Sequence, residues 1–166
     1  MSDETRFTIR PARAEDVPLV LQFIRELAEY EKLLNEVQAT EASLHESLFG
    51  PRPVAEALIG EEAGQPAGFA LFFHNFSTFV GRPGIYIEDV FVRPPFRGRG
   101  LGKSFFLHLA ALARDRDCGR IEWAVLDWNE PAIEFYRRLG ARPMDEWRIF
   151  RLDRASIARL AAGGSE

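Results

Sequence analysis

The chain has a single cysteine, Cys118, so no internal disulfide can form and no set of thiolates is at hand to hold a metal. It also lacks a basic excess. Lys plus Arg number 21 against 25 Asp plus Glu, a formal net charge of -4, whereas a general nucleic-acid binder carries a basic face. The stretch from Gly64 to Gly81 has no formal charge, but Gln65, Pro66, His74, Asn75, Ser77 and Thr78 interrupt it. Its apolar part, Ala67 to Phe73, falls far short of the roughly 20 residues of a membrane helix. The run Met1 to Arg6 is polar and acidic, without the basic and apolar regions of a signal peptide. The three histidines, His45, His74 and His108, are scattered and read as structural. The expectations are a reducing cytoplasm, no membrane, no nucleic acid and no metal.

What is present is an ordinary globular composition. With 166 residues, 46% hydrophobic and 28% charged, the chain is long enough for one domain, 1–166, that buries about 70% of its unfolded surface. Phe7-Thr8-Ile9-Arg10 alternates as a half-buried strand. Val17, Val20, Leu21, Ile24, Leu27 and Ala28 recur at helical steps and predict an amphipathic helix from about Ala14 to Leu33. Thr40 is placed to cap a shorter helix ending near Phe49-Gly50. Strands are predicted over Val54–Glu61, Pro66–Asn75 and Gly84–Val92, as a meander. A helix striped by Leu101, Phe105, Leu109 and Leu112 runs to about Asp117. Then come a strand over Ile121–Leu126, a short helix over Pro131–Leu139, a last strand over Trp147–Leu152 and a terminal helix over Asp153–Ala162. With no repeats and no linker, this is an α+β fold with a mixed, mostly antiparallel sheet flanked by helices.

Between the third meander strand and the Leu101 helix lies Arg97-Gly98-Arg99-Gly100-Leu101-Gly102-Lys103-Ser104. A strand that feeds a glycine-rich turn opening a helix presents unpaired N–H groups at the positive end of the helix dipole, where phosphate oxygens bind. Arg97, Arg99 and Lys103 would add charged donors. The nucleotide P-loop spacing requires glycine at 97, and the dinucleotide spacing requires glycine at 103; the chain has arginine and lysine there. The bland alternative is a flexible basic turn. A second constellation, Asn129-x-x-Ala132-x-x-x-Tyr136-x-x-x-Gly140, carries its own helix signals, with Pro131 in the first turn and Gly140 at the stop. Asn129 and Tyr136 fall on one helical face with a small residue between them. Taken singly, Asn129 is an ordinary helix cap and Tyr136 a surface or core tyrosine.

Arg97-x-x-Gly100-x-Gly102 resembles the pyrophosphate-binding turn of the GNAT acyltransferases, and the Asn129–Tyr136 segment resembles their second coenzyme A segment, in the same order. The resemblance extends through Glu26–Glu31, Ile87–Val92, Asp127–Pro131 and Trp147–Phe150, and is similar to the spermidine/spermine (diamine) and thialysine acetyltransferase branch. One departure is Phe79, where diamine acetyltransferases place a tryptophan. The resemblance implies a GNAT fold and a homodimer. It implies acetyl-coenzyme A as cosubstrate, held by Phe91, Val92, Arg97, Gly98, Arg99, Gly100, Leu101, Gly102, Lys103, Asn129 and Tyr136, and a small polyamine or lysine-like amine as acceptor. Chemically, a primary amine near pKa 10.4 is protonated at neutral pH and has no lone pair to attack with. Glu88 is the candidate general base, acting through water, and Asp89 would orient the cation, with Tyr30 and Glu31 as further amine-site contacts. Tyr136 is the candidate acid for the departing thiolate, and backbone N–H groups around Phe91 and Val92 would polarise the thioester. A non-catalytic acyl-coenzyme A module and an enzyme acting on a protein amine are the alternatives.

Overall fold

The alternation of Phe7 to Arg10 does form a strand, β1 (Phe7–Pro11), in the computed structural model, which describes residues 6–164. The run Met1 to Thr5 lies outside the described residues. Two compact units divide between Ala124 and Val125.

In the first unit, a one-turn 3-10 segment leads into α1 (Val17–Tyr30), whose buried Val17, Val20, Leu21 and Phe23 follow the helical stripe. The helix stops three residues before the predicted Leu33, and Lys32 lies in the left-handed region at φ 61°. α2 (Glu41–Phe49) is capped as expected: the Thr40 hydroxyl accepts from the Ser43 N–H at 3.1 Å, and the Ser43 hydroxyl oxygen accepts from the Thr40 N–H at 3.0 Å. The meander β2 (Glu56–Glu62), β3 (Gln65–Ser77) and β4 (Arg82–Val92) extends the sheet from β1, all antiparallel. After β4, α3 (Leu101–Asp115) crosses back, so that β5 (Ile121–Trp123) joins parallel to β4, giving the order β1-β2-β3-β4-β5.

Each face of the sheet has its own helix layer. Ala57, Ile59, Phe69, Leu71 and Phe91 turn toward α1 and α2, where Phe23 stacks on Phe69 with ring centroids 5.3 Å apart. The alternate residues face α3, whose Leu101, Phe105 and Leu109 are buried. Gly60 allows this approach, because a Cβ there would sit 2.7 Å from the Phe105 ring and 2.9 Å from Leu101. The packing fixes the start of α3 against the sheet and thereby the turn before it.

In the second unit, α4 (Glu130–Arg138) begins at Asn129 and stops at Gly140, at φ 90°. α5 (Arg154–Ala161) is capped by Asp153, which accepts from the Ser156 N–H at 2.8 Å. Two expectations are corrected. The strand predicted over Ile121–Leu126 ends at Trp123, and Trp147–Leu152 forms no strand at all. The segment is rich in apolar residues, but among the described residues no strand runs beside it, and the adjacent Ile149 and Phe150 are 76% and 92% exposed. Without a ladder partner even an apolar segment has no inter-strand hydrogen bonds to make it a strand. Among the described residues no helix is long and apolar enough to cross a membrane.

Candidate active site

The central feature of the first unit is an irregularity in β4. Phe72 pairs with Ile87 and its neighbour Leu71 pairs with Asp89, so Glu88 is an extra residue, a β-bulge. Before the bulge, Ile85 and Ile87 face α3 and Tyr86 faces the other way. After it, Asp89 and Phe91 face α1 and α2, opposite Leu71 and Phe69. The extra residue therefore turns two successive carboxylates, Glu88 and Asp89, toward one side. β5 pairs with β4 only from Ile85 to Ile87, so from Glu88 to Val92 that edge of β4 has no strand beside it among the described residues.

The two carboxylates differ in setting. Glu88 is exposed, whereas Asp89 is largely covered. Burial, reinforced by the charges of Glu88 and Glu31, pushes the Asp89 carboxyl up to about 7. Burial also raises Glu31, at the end of α1, and raises the Tyr86 phenol together with the charges of Glu88 and Glu122. The sequence reading missed Tyr86, although two-residue alternation from Glu88 could have found it. No ion pair or hydrogen bond satisfies Asp89 among the described residues, which leaves an acidic recess suited to a cation.

The turn follows directly. Gly98 and Gly100 have φ of 72° and 95°, and a Cβ at either would meet nothing within 4 Å. Glycine is therefore needed there for backbone conformation, with open space beside the chain. Gly100 is the cap of α3 and no side chain bonds the first N–H groups, so those of Leu101, Gly102 and Lys103 lie at an uncapped, positive helix end. This open, donor-rich backbone fits a diphosphate. The arginines of the turn are engaged elsewhere: Arg97 Nε donates to the Val92 carbonyl at 2.7 Å, and Arg99 pairs with Glu62 at 3.0 Å. Lys103 is exposed.

In the second unit, the Asn129 side chain accepts from the Ala132 N–H at 3.4 Å, the ordinary capping bond. Tyr136 is half-buried on α4, its ring 5.6 Å from that of Phe135. Phe79 stands at the tip of the β3–β4 hairpin, 94% exposed. Among the described residues no three His, Cys, Asp or Glu side chains group closely enough to hold a metal ion.

A mostly antiparallel sheet with a bulged fourth strand, followed by an uncapped glycine turn and a crossing helix, defines an acyltransferase of the GNAT class. The pattern of the Acetyltransferase (GNAT) family matches residues 21–141, and the chain belongs to that family. It is 38% identical over 164 residues to a thialysine N-epsilon-acetyltransferase from Sus scrofa, covering 92% of this chain and 96% of that one. It is 32% identical over 189 residues to an L-ornithine N5-acetyltransferase from Arabidopsis thaliana, covering 87% and 83% respectively. An integron cassette protein from the mobile metagenome of V. cholerae shares the fold at a TM-score of 0.78, with 26% identity over 95% of this chain and 98% of that one.

Proposed function

We propose that the protein is an N-acetyltransferase that moves an acetyl group from acetyl-coenzyme A to a primary amine of a small polyamine or lysine-like molecule. The observation that carries this reading is the bulge, which sets Glu88 and Asp89 on one side of β4 immediately before the open glycine turn. The similarity to acetyltransferases of thialysine and ornithine, both small cationic amines, supports the same substrate class.

Acetyl-coenzyme A supplies the activated acetyl group. Backbone from Gly98 to Lys103 would hold its diphosphate, and the open β4 edge around Phe91 and Val92 would hold and polarise its thioester end. Ionised Asp89, with Glu31 and Tyr30, draws in the ammonium group. Glu88, at the solvent edge, takes the amine's proton through a water molecule, which frees the lone pair for attack. Tyr136, as general acid for the departing sulfur, and Asn129, as a contact to the cosubstrate, enter on the family resemblance. The branch resemblance adds a homodimer and a cytoplasmic setting.

The test is a panel of diamines, polyamines, ornithine, lysine and thialysine assayed with acetyl-coenzyme A for free thiol. Turnover is expected with one or more of the small cationic amines, and Tyr136→Phe is expected to lower kcat by about a hundredfold. A flat panel with intact coenzyme A binding would replace this reading with a non-catalytic acyl-coenzyme A module. An unchanged kcat in Tyr136→Phe would remove the acid role.

A further inference from the structure

Arg97 opens the glycine turn, yet its side chain is directed back toward the amine recess. Its Nε donates to the Val92 carbonyl at 2.7 Å, its guanidinium lies 4.9 Å from the centre of the Tyr30 ring, and it lies 5.5 Å from that of Phe91. These three contacts belong to different parts of the recess. Tyr30 is the last residue of α1 and adjoins Glu31, whose charge acts on Asp89. Phe91 is on the same face of β4 as Asp89, two residues along. Arg97 thus bridges Tyr30, at the end of α1, and Phe91, on β4, while Glu31, the residue after Tyr30, is near enough for its charge to act on Asp89.

We propose that Arg97 is a positioning residue for the amine site, a planar brace that holds the end of α1 against β4 and so fixes Tyr30 and Glu31 beside Asp89. This rests on the amine-acetyltransferase reading above. The guanidinium suits the task because its flat face stacks on rings while its edge donates to a carbonyl. Lysine keeps the charge but has neither the plane nor the fixed donor geometry. Backbone groups remain to bind the diphosphate.

The experiment compares Arg97→Ala and Arg97→Lys with wild type in two measurements. One is coenzyme A affinity by calorimetry; the other is amine KM and kcat at saturating acetyl-coenzyme A. A brace predicts an amine KM raised about tenfold in both variants, with coenzyme A affinity within about threefold of wild type. Tyr30→Ala should raise KM similarly, with no further rise in the double variant with Arg97→Ala. Coenzyme A affinity lost about tenfold in Arg97→Ala and restored in Arg97→Lys, with amine KM unchanged, would overturn the brace and make Arg97 a phosphate contact. An amine KM unchanged in both variants would overturn it too. Absence of amine turnover by the wild-type protein is a separate result, and it would count against the functional reading itself.

Discussion

Asp89 is a carboxyl held in a covered site beside two others, and its titration near 7 has consequences of opposite sign for binding and for stability. Below that pH it is neutral and attracts an ammonium poorly, so kcat/KM for the amine should rise with pH through about 7. Asp89→Asn should lower kcat/KM and remove this limb of the profile. For folding, the raised value means that the native state binds the proton more tightly than the unfolded chain. Stability from this group is therefore present at low pH and lost as pH rises from about 4 to about 7. Asp89→Asn should accordingly stabilise the protein at pH 8 relative to pH 5, by roughly 2–4 kcal/mol, measured by denaturant unfolding at the two pH values. The pair Glu88-Asp89 was legible in the sequence as a candidate, but its shared direction was not, because no residue type marks which position of a strand will be the extra one.

Among the elements, those governed by neighbours a few residues away could be read in advance. The Thr40–Ser43 cap and the Gly140 stop depend on local bonds and local backbone, and both are present as expected. The end of α1 was overrun at Leu33, which falls off the apolar stripe on the opposite side of the helix from Val17; the stripe itself ends at Ala28, and the helix stops at Tyr30 before Lys32 turns left-handed. A strand over Trp147–Leu152 could not be judged from its own residues, since its existence depends on a distant partner. The turn before α3 was legible as a glycine pattern, but the directions of Arg97 and Arg99 depend on which carbonyl, ring or carboxylate the fold brings near. Gly100→Ala tests the turn as an element. With φ at 95°, an added Cβ should cost about 1 kcal/mol of stability, and the altered backbone should lower coenzyme A affinity about tenfold by calorimetry. Gly81→Ala, at φ 69° in the β3–β4 hairpin, should cost similar stability and leave that affinity unchanged.

At the scale of the whole first unit, Arg93 joins its layers. It bonds both carboxylate oxygens of Glu26 at 2.9 Å, donates to the Pro66 carbonyl at 3.0 Å and lies 4.5 Å over the Phe23 ring. The pair is partly solvated, which limits its strength. Arg93→Ala should still cost about 2 kcal/mol, because the Pro66 carbonyl and the packing over Phe23 are lost together, and thermal unfolding should fall by roughly 4–8 °C. Glu26→Gln should cost about half as much. The bulge itself has a consequence for how this architecture can change over time. Removing Glu88 would bring Ile87 and Asp89 next to each other opposite Phe72 and Leu71, so every flanking side chain would keep its present face. The proton acceptor proposed above is in that sense a detachable insert: a lineage could drop Glu88 in one deletion, keep a sound scaffold and the open glycine turn, and lose the proposed catalytic step alone.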